Sequence, residues 1–179
     1  TQASSSAASD VYKRQYQHIN DIDSAMQSYE KSAKLNPKYP GPLYNIANVF
    51  FERKKAERAI EYYQKTIELS PDFLDAYNNM GNCYLSLGRF DESIDCFNKI
   101  LKINKAYYKA YNNLGQVLNL LGKYQEAEEV LLKGIDVCPK FLEFYVTLGH
   151  SYISNYDLLK CIKIYKKGFL SLIHISEPT

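Results

Sequence analysis

A 34-residue internal repeat constrains this chain more than any other feature. A period of roughly 20–50 residues selects a stack of similar units over a single globular core. Asp75-Ala76-Tyr77-Asn78-Asn79-Met80-Gly81 recurs as Lys109-Ala110-Tyr111-Asn112-Asn113-Leu114-Gly115, an offset of 34. One period earlier stands Leu43-Tyr44-Asn45-Ile46-Ala47, and one period later Tyr145-Val146-Thr147-Leu148-Gly149. Pro37, Pro71 and Pro139 share one position of the repeat, with Lys105 in the skipped slot.

Each unit reads as two amphipathic helices. In 74–107, Tyr77, Met80, Gly81 and Tyr84 fall at i, i+3, i+4 and i+7, on one helical face. Leu87-Gly88 ends that helix, and Phe90, Ile94, Phe97 and Leu101 make a second stripe. The prolines follow helix ends, where a missing N–H costs little.

Counted from Pro40, Leu74, Tyr108 and Leu142, the units align position by position. Position 4 is Leu43, Tyr77, Tyr111, Tyr145; position 8 is Ala47, Gly81, Gly115, Gly149. Position 11 is Phe50, Tyr84, Leu118, Tyr152; position 20 is Ala59, Ser93, Ala127, Cys161; position 24 is Tyr63, Phe97, Leu131, Tyr165. This pattern resembles the tetratricopeptide repeat (TPR) over 40–170, and Ala25, Tyr29, Ser32 and Pro37 extend it over 22–39. The resemblance implies an all-α fold, an α-solenoid of helix-turn-helix TPR units forming a right-handed superhelical segment. Units are expected at 16–39 (partial, with a second helix at 22–35), 40–73, 74–107, 108–141 and 142–170. Small residues at positions 8 and 20 are expected to let paired helices approach closely, and the large ones to fill the space between units. Tyr stands where the family usually has Trp, which accounts for part of the count of 17 Tyr and no Trp. Ile100, at a usually small position 27, and Cys161 at position 20 predict local widening.

The segments 1–15 and 171–179 fit no repeat position and resemble translated adapter sequence. We therefore read the repeat region as an internal fragment. It lacks a polar capping helix, with apolar ends open to self-association.

Composition narrows the function. The net charge of +2 argues against a nucleic-acid partner. No apolar stretch approaches the roughly 20 residues that span a membrane. Four Cys without a CxxC pair argue against a zinc site or a disulfide scaffold. Cys83 and Cys96 share a unit and read as buried free thiols. No nucleophile, base and orienting group fall together. We expect no catalytic site, no cofactor, no metal, and a cytoplasmic or nuclear setting.

In the family the resemblance points to, first helices line a concave wall through positions 2, 5, 6, 9, 12 and 13. Position 5 is Tyr44, Asn78, Asn112, Val146; position 6 is Asn45, Asn79, Asn113, Thr147; position 9 is Asn48, Asn82, Gln116, His150. Asn119 and Lys109 complete the candidate set. An amide both donates and accepts, so an asparagine ladder suits the backbone of an extended partner peptide. At about 0.5–1.5 kcal/mol per net hydrogen bond, such a groove needs several contacts or avidity. The Tyr/Leu-x-Asn run is similar to repeats of O-linked N-acetylglucosamine transferase, which would make the chain the substrate-selecting region of a larger enzyme. A scaffold subunit contacting partners through outer residues such as Lys65 and Lys99 is the alternative. The clamp that some TPR domains close on acidic chaperone tails needs three cations. From Pro40 the chain supplies Tyr44, Asn48, Asn79, Lys109 and Asn113, lacking two of them. From Leu74 it supplies Asn78, Asn82, Asn113, Glu143 and Thr147, lacking all three. That reading is set aside.

Overall fold

The structure, a computed structural model, describes residues 21–173. Residues 1–20 and 174–179 lie outside it, and with them the N-terminal tail, Tyr16, His18 and most of the C-terminal tail.

The described residues form helices joined by short turns, with no strand among them. They are α1 (21–35), α2 (Gly41–Glu52), α3 (Ala56–Leu69), α4 (Leu74–Ser86), α5 (Phe90–Ile103), α6 (Tyr108–Leu120), α7 (Tyr124–Val137), α8 (Glu143–Ser154) and α9 (Leu158–Ile173). The fold is an all-α helical repeat array. Contacts divide the chain into two compact units, one ending at Ala76 and one beginning at Tyr77. Helix α9 continues to Ile173, past the last expected repeat residue.

The turn inside each pair is the same object four times. Lys54, Gly88, Gly122 and Tyr156, all position 15, adopt the left-handed conformation with φ of 60°, 72°, 73° and 60°. The next residue's N–H then reaches back to the carbonyl of position 11: Lys55 to Phe50, Arg89 to Tyr84 and Lys123 to Leu118 at 2.9 Å, Asp157 to Tyr152 at 2.8 Å. This closes the helix C-terminus on carbonyls that otherwise lack a partner.

The turn between pairs also recurs. Phe73 N–H donates to Ser70 O, Tyr107 to Asn104 O and Phe141 to Cys138 O. Pro71 and Pro139 stiffen two of these turns. At the third, where Lys105 replaces Pro, the Asn104 side chain accepts a hydrogen bond from Ala106 N–H at 2.8 Å. An Asx-type bond thus does locally what the ring does elsewhere.

Close approach within a pair is set by positions 8 and 24. A β-carbon on Gly81 would come within 2.8 Å of the Phe97 ring, and one on Gly115 within 2.6 Å of Leu131. On Gly149 it would overlap the Tyr165 ring. Position 20 also meets position 8, through Ser93 Oγ donating to Gly81 O at 2.8 Å. The small residue is therefore required chiefly by the large one four places beyond position 20.

Ile100 at position 27 is fully buried. One period later that place is Gly134, where a β-carbon would overlap the Phe144 ring of the following helix. The residue one period before Phe144 is Ala110, also fully buried. The departure from a small position 27 is thus met by an exchange of volume with the facing helix.

Candidate protein-interaction surface

The first helices carry the expected amides, and their side chains have definite partners. In the unit ending at Ala76, Asn48 Oδ1 accepts a hydrogen bond from Tyr63 Oη at 2.6 Å. The Tyr44 ring packs on Phe73, with centroids 4.9 Å apart, and on Tyr63 at 5.9 Å. Asn45 and Asn48 border a shallow cavity of about 320 Å³ together with Ile22 and Tyr29 of α1.

In the unit beginning at Tyr77 the amides tie neighbouring first helices together. Asn113 Nδ2 donates to Asn78 Oδ1 at 2.9 Å, and Asn78 Nδ2 to Asn79 Oδ1 at 3.2 Å. Thr147 Oγ1 donates to Asn112 Oδ1 at 2.9 Å, and Asn119 Nδ2 to Thr147 O at 3.2 Å. Three of these bonds link neighbouring repeats, and the two between side chains join position 5 of one to position 6 of the next. Asn78, Asn112 and Thr147 are buried, whereas Asn79, Asn82 and Asn113 are half-buried. Satisfied buried amides of this kind fix the register of neighbouring helices. Lys109, Gln116 and His150 are exposed.

Between α6 and α8 the wall opens into a cavity of about 540 Å³. Leu85, Leu120 and Val146 supply its apolar surface; Gln116, Asn119, Glu143, Thr147, His150 and Ser154 supply polar edges. Gln116, Asn119, Thr147 and His150 were candidates from the sequence and are brought together here. Leu85, Leu120 and Ser154 were not, although positions 12 and 13 of the repeat place them on this wall. Leu120 is 64% exposed and Val146 47%. Among the described residues, the buried Oδ1 of Asn119 accepts no hydrogen bond. Such an acceptor carries a desolvation cost of about 1–3 kcal/mol unless a donor reaches it.

Titratable groups elsewhere point to structure. Burial first, and the charge of Cys96 second, push the thiol of Cys83 up to about 12. Burial, with Asp95 and Glu92 nearby, does the same for Cys96. Both stay protonated and unreactive at neutral pH. Tyr152 Oη donates to Glu128 Oε1 at 2.9 Å, and Lys160 Nζ bonds both Glu128 oxygens at 3.1 Å, joining α7, α8 and α9. Burial and that carboxylate raise the Tyr152 phenol well above its ordinary value. Among the described residues no three His, Cys, Asp or Glu side chains gather to hold a metal. No described helix is long and apolar enough to cross a membrane.

The tetratricopeptide repeat profile matches residues 39–106 and 72–140, more than half of the chain, and a second profile of the same description matches 16–39. The chain belongs to the tetratricopeptide repeat family. Its last pair, α8 and α9, lies beyond those matches yet repeats the TPR turn and the position 8–24 contact. Among solved structures, a crystal structure of MamA superposes with a TM-score of 0.77 at 24% identity, over 89% of this chain and 94% of that one. MamA 41-end from Desulfovibrio magneticus RS-1 gives 0.77 at 16% identity, over 92% and 93%. The thermophilic TPR protein TTC0263 from Thermus thermophilus gives 0.69 at 21% identity, over 88% and 86%. At these identities the likeness is one of fold. No curated protein sequence matches the chain significantly. A TPR fold is that of a protein-interaction or scaffold module.

Proposed function

We propose that this chain binds an extended segment of a partner protein along the first helices of the unit beginning at Tyr77, with the cavity between α6 and α8 as the anchor. The observation that carries this reading is the cavity's make-up: an apolar surface of Leu85, Leu120 and Val146 beside the unpartnered Asn119 acceptor. Pockets that take a side chain combine an apolar body with a few placed polar groups. The proposed occupant is an apolar side chain that presents a donor to Asn119. Gln116 and His150, exposed at the rim, are free to meet peptide backbone. The comparison with glycosyltransferase arrays rests on the asparagine run, and here Asn78, Asn112 and Asn113 bond to one another and to Thr147.

The test is a peptide library selected on the wild-type chain, followed by binding to variants. Leu120→Glu and Val146→Glu change exposed side chains, so helicity is retained while the selected peptides lose at least about tenfold in affinity, since burying an unpaired charge is costly. Asn79→Ala and Asn113→Ala have smaller effects. Unchanged binding in both glutamate variants excludes the cavity as the anchor.

A further inference from the structure

One polar atom on the lining of the α6–α8 cavity has no partner among the described residues. Asn119 Nδ2 donates to Thr147 O at 3.2 Å. That bond fixes which end of the amide is nitrogen, since the flipped amide would set two oxygens against each other. Oδ1 is left buried, with no donor reaching it among the described residues. The apolar surface of the same cavity comes from Leu85, Leu120 and Val146. Helix α6 has a first helix on each side, α4 through the Asn113–Asn78 bond and α8, yet its Leu120 stays 64% exposed. This opening therefore lies within the wall, on a helix whose two neighbours are both in place.

Taking the cavity as the anchor, a reading on which this step rests, we infer that its occupant is the indole of a tryptophan in the partner segment, with the indole N–H donating to Asn119 Oδ1. The missing group is a donor, and the surface beside it is apolar. Phe, Leu, Ile, Val and Met bring no strong donor. Lys and Arg carry their donors on a charge, which is costly to desolvate beside three apolar side chains. Glu143 is the one formally charged residue on the lining, and it is exposed at the rim, where a cation pairs with it in water without entering. Tyr brings a donor and an acceptor on one oxygen. The Thr147 hydroxyl that could serve that acceptor already donates to Asn112 Oδ1 at 2.9 Å. Indole joins a large apolar body to a single N–H and brings no acceptor. The cavity, of about 540 Å³, is of the size that takes such groups. The 179 residues contain no Trp, so a second copy of them offers no indole.

The probe is a random peptide library displayed on phage and selected on the whole chain, with the binders then made as synthetic peptides. A tryptophan shared by the binders is expected. Because the chain has no Trp of its own, the emission of that residue reports on the peptide alone, and it is expected to shift to the blue on binding. Replacing it with benzothienylalanine puts sulfur in place of N–H with nearly the same shape. That peptide is expected to bind at least about tenfold more weakly, because the acceptor stays unpaired. In Asn119→Leu, with circular dichroism unchanged, the preference between the two peptides is expected to vanish. An Asn119 that only supports the fold would weaken both alike and keep their ratio, which overturns the proposal.

The peptide pair on the wild-type chain decides without any variant. Binders that lose affinity in Leu120→Glu and Val146→Glu, yet share no tryptophan or tolerate the benzothienyl group, overturn the indole and leave the groove standing. A shared Arg or Lys in place of the tryptophan does the same. Binders indifferent to both glutamate variants overturn the groove and the indole with it, as does a library that yields no binder.

Discussion

Two helix joints one period apart meet the same packing problem with opposite residues. Where α5 meets α6, the second helix supplies the bulk as Ile100 and the following helix supplies Ala110. Where α7 meets α8, the second helix supplies Gly134 and the following helix fills the space with the Phe144 ring. Ile100, Ala110 and Phe144 are each fully buried, and Gly134 is buried too. At the α3–α4 joint the same positions are Thr66 and Ala76, both small and fully buried. At the other two joints the summed volume is similar while the side that provides it differs. Close-packed interiors impose this, because a void and an overlap both cost stability.

Breaking the second joint from the ring side has the largest expected effect. Phe144→Ala should cost about 3–5 kcal/mol, through lost burial and the cavity left behind. Urea unfolding followed by circular dichroism reads it as a lower midpoint. Gly134→Ile breaks the same joint from the other side, by overpacking against Phe144, and should cost about 1–3 kcal/mol. The double variant Gly134→Ile/Phe144→Ala rebuilds the α5–α6 solution at the α7–α8 joint. Its loss should be smaller than the sum of the singles by about 1–3 kcal/mol. Strict additivity would show that the two joints are not exchanges of one volume.

The four turns sharpen the comparison on a smaller scale. A non-glycine residue in the left-handed conformation is strained by about 1–2 kcal/mol. Lys54→Gly and Tyr156→Gly should therefore raise stability by about 0.5–1 kcal/mol, the gain being reduced by the freer unfolded chain. Gly88→Ala and Gly122→Ala should lower it by about 1 kcal/mol. No atom lies within 4 Å of a β-carbon at either glycine, so the effect reports backbone strain alone. Thermal melts of the four variants check both directions.

The mildest probe changes no residue. Cys83 and Cys96 lie in the α4–α5 pair and are buried, whereas Cys138, at the end of α7, is half-buried. At pH 8 a thiol reagent should label Cys138 first, and Cys83 and Cys96 only as fast as the pair opens. The raised thiol values fix the sign of a further pH effect. Below the ordinary value of 9.0 both states keep these protons and the two thiols contribute no pH dependence. Between about 9 and about 12 the unfolded chain loses them first, so their contribution to stability falls as pH rises. Denaturant midpoints across pH 7–11 measure it.

The candidate wall shows where sequence reading stops. The helical face arithmetic placed Gln116, Asn119, Thr147 and His150 on one surface, and they border one cavity. The same arithmetic treated Asn78 and Asn112 as equivalent to Asn79 and Asn113. The structure separates them: position 5 turns toward position 6 of the next unit, so Asn78 receives Asn113 and Asn112 receives Thr147. Leu85 and Leu120 carried a usable signal at positions 12 and 13, but apolar residues at a groove are read as core until their exposure is known.

What the sequence determined by itself is what repeats along one helix: the 34-residue period, the two stripes per unit, the break at Leu87-Gly88, and the small residue at position 8. These follow from 3.6-residue periodicity and from local turn chemistry, which act between residues close in the chain. Only the tertiary structure decided which side chain fills each joint and which amides bond to each other. Those outcomes depend on the distance and rotation between neighbouring helices, and the same stripe carries Ile100 at one joint and Gly134, facing Phe144, at the next.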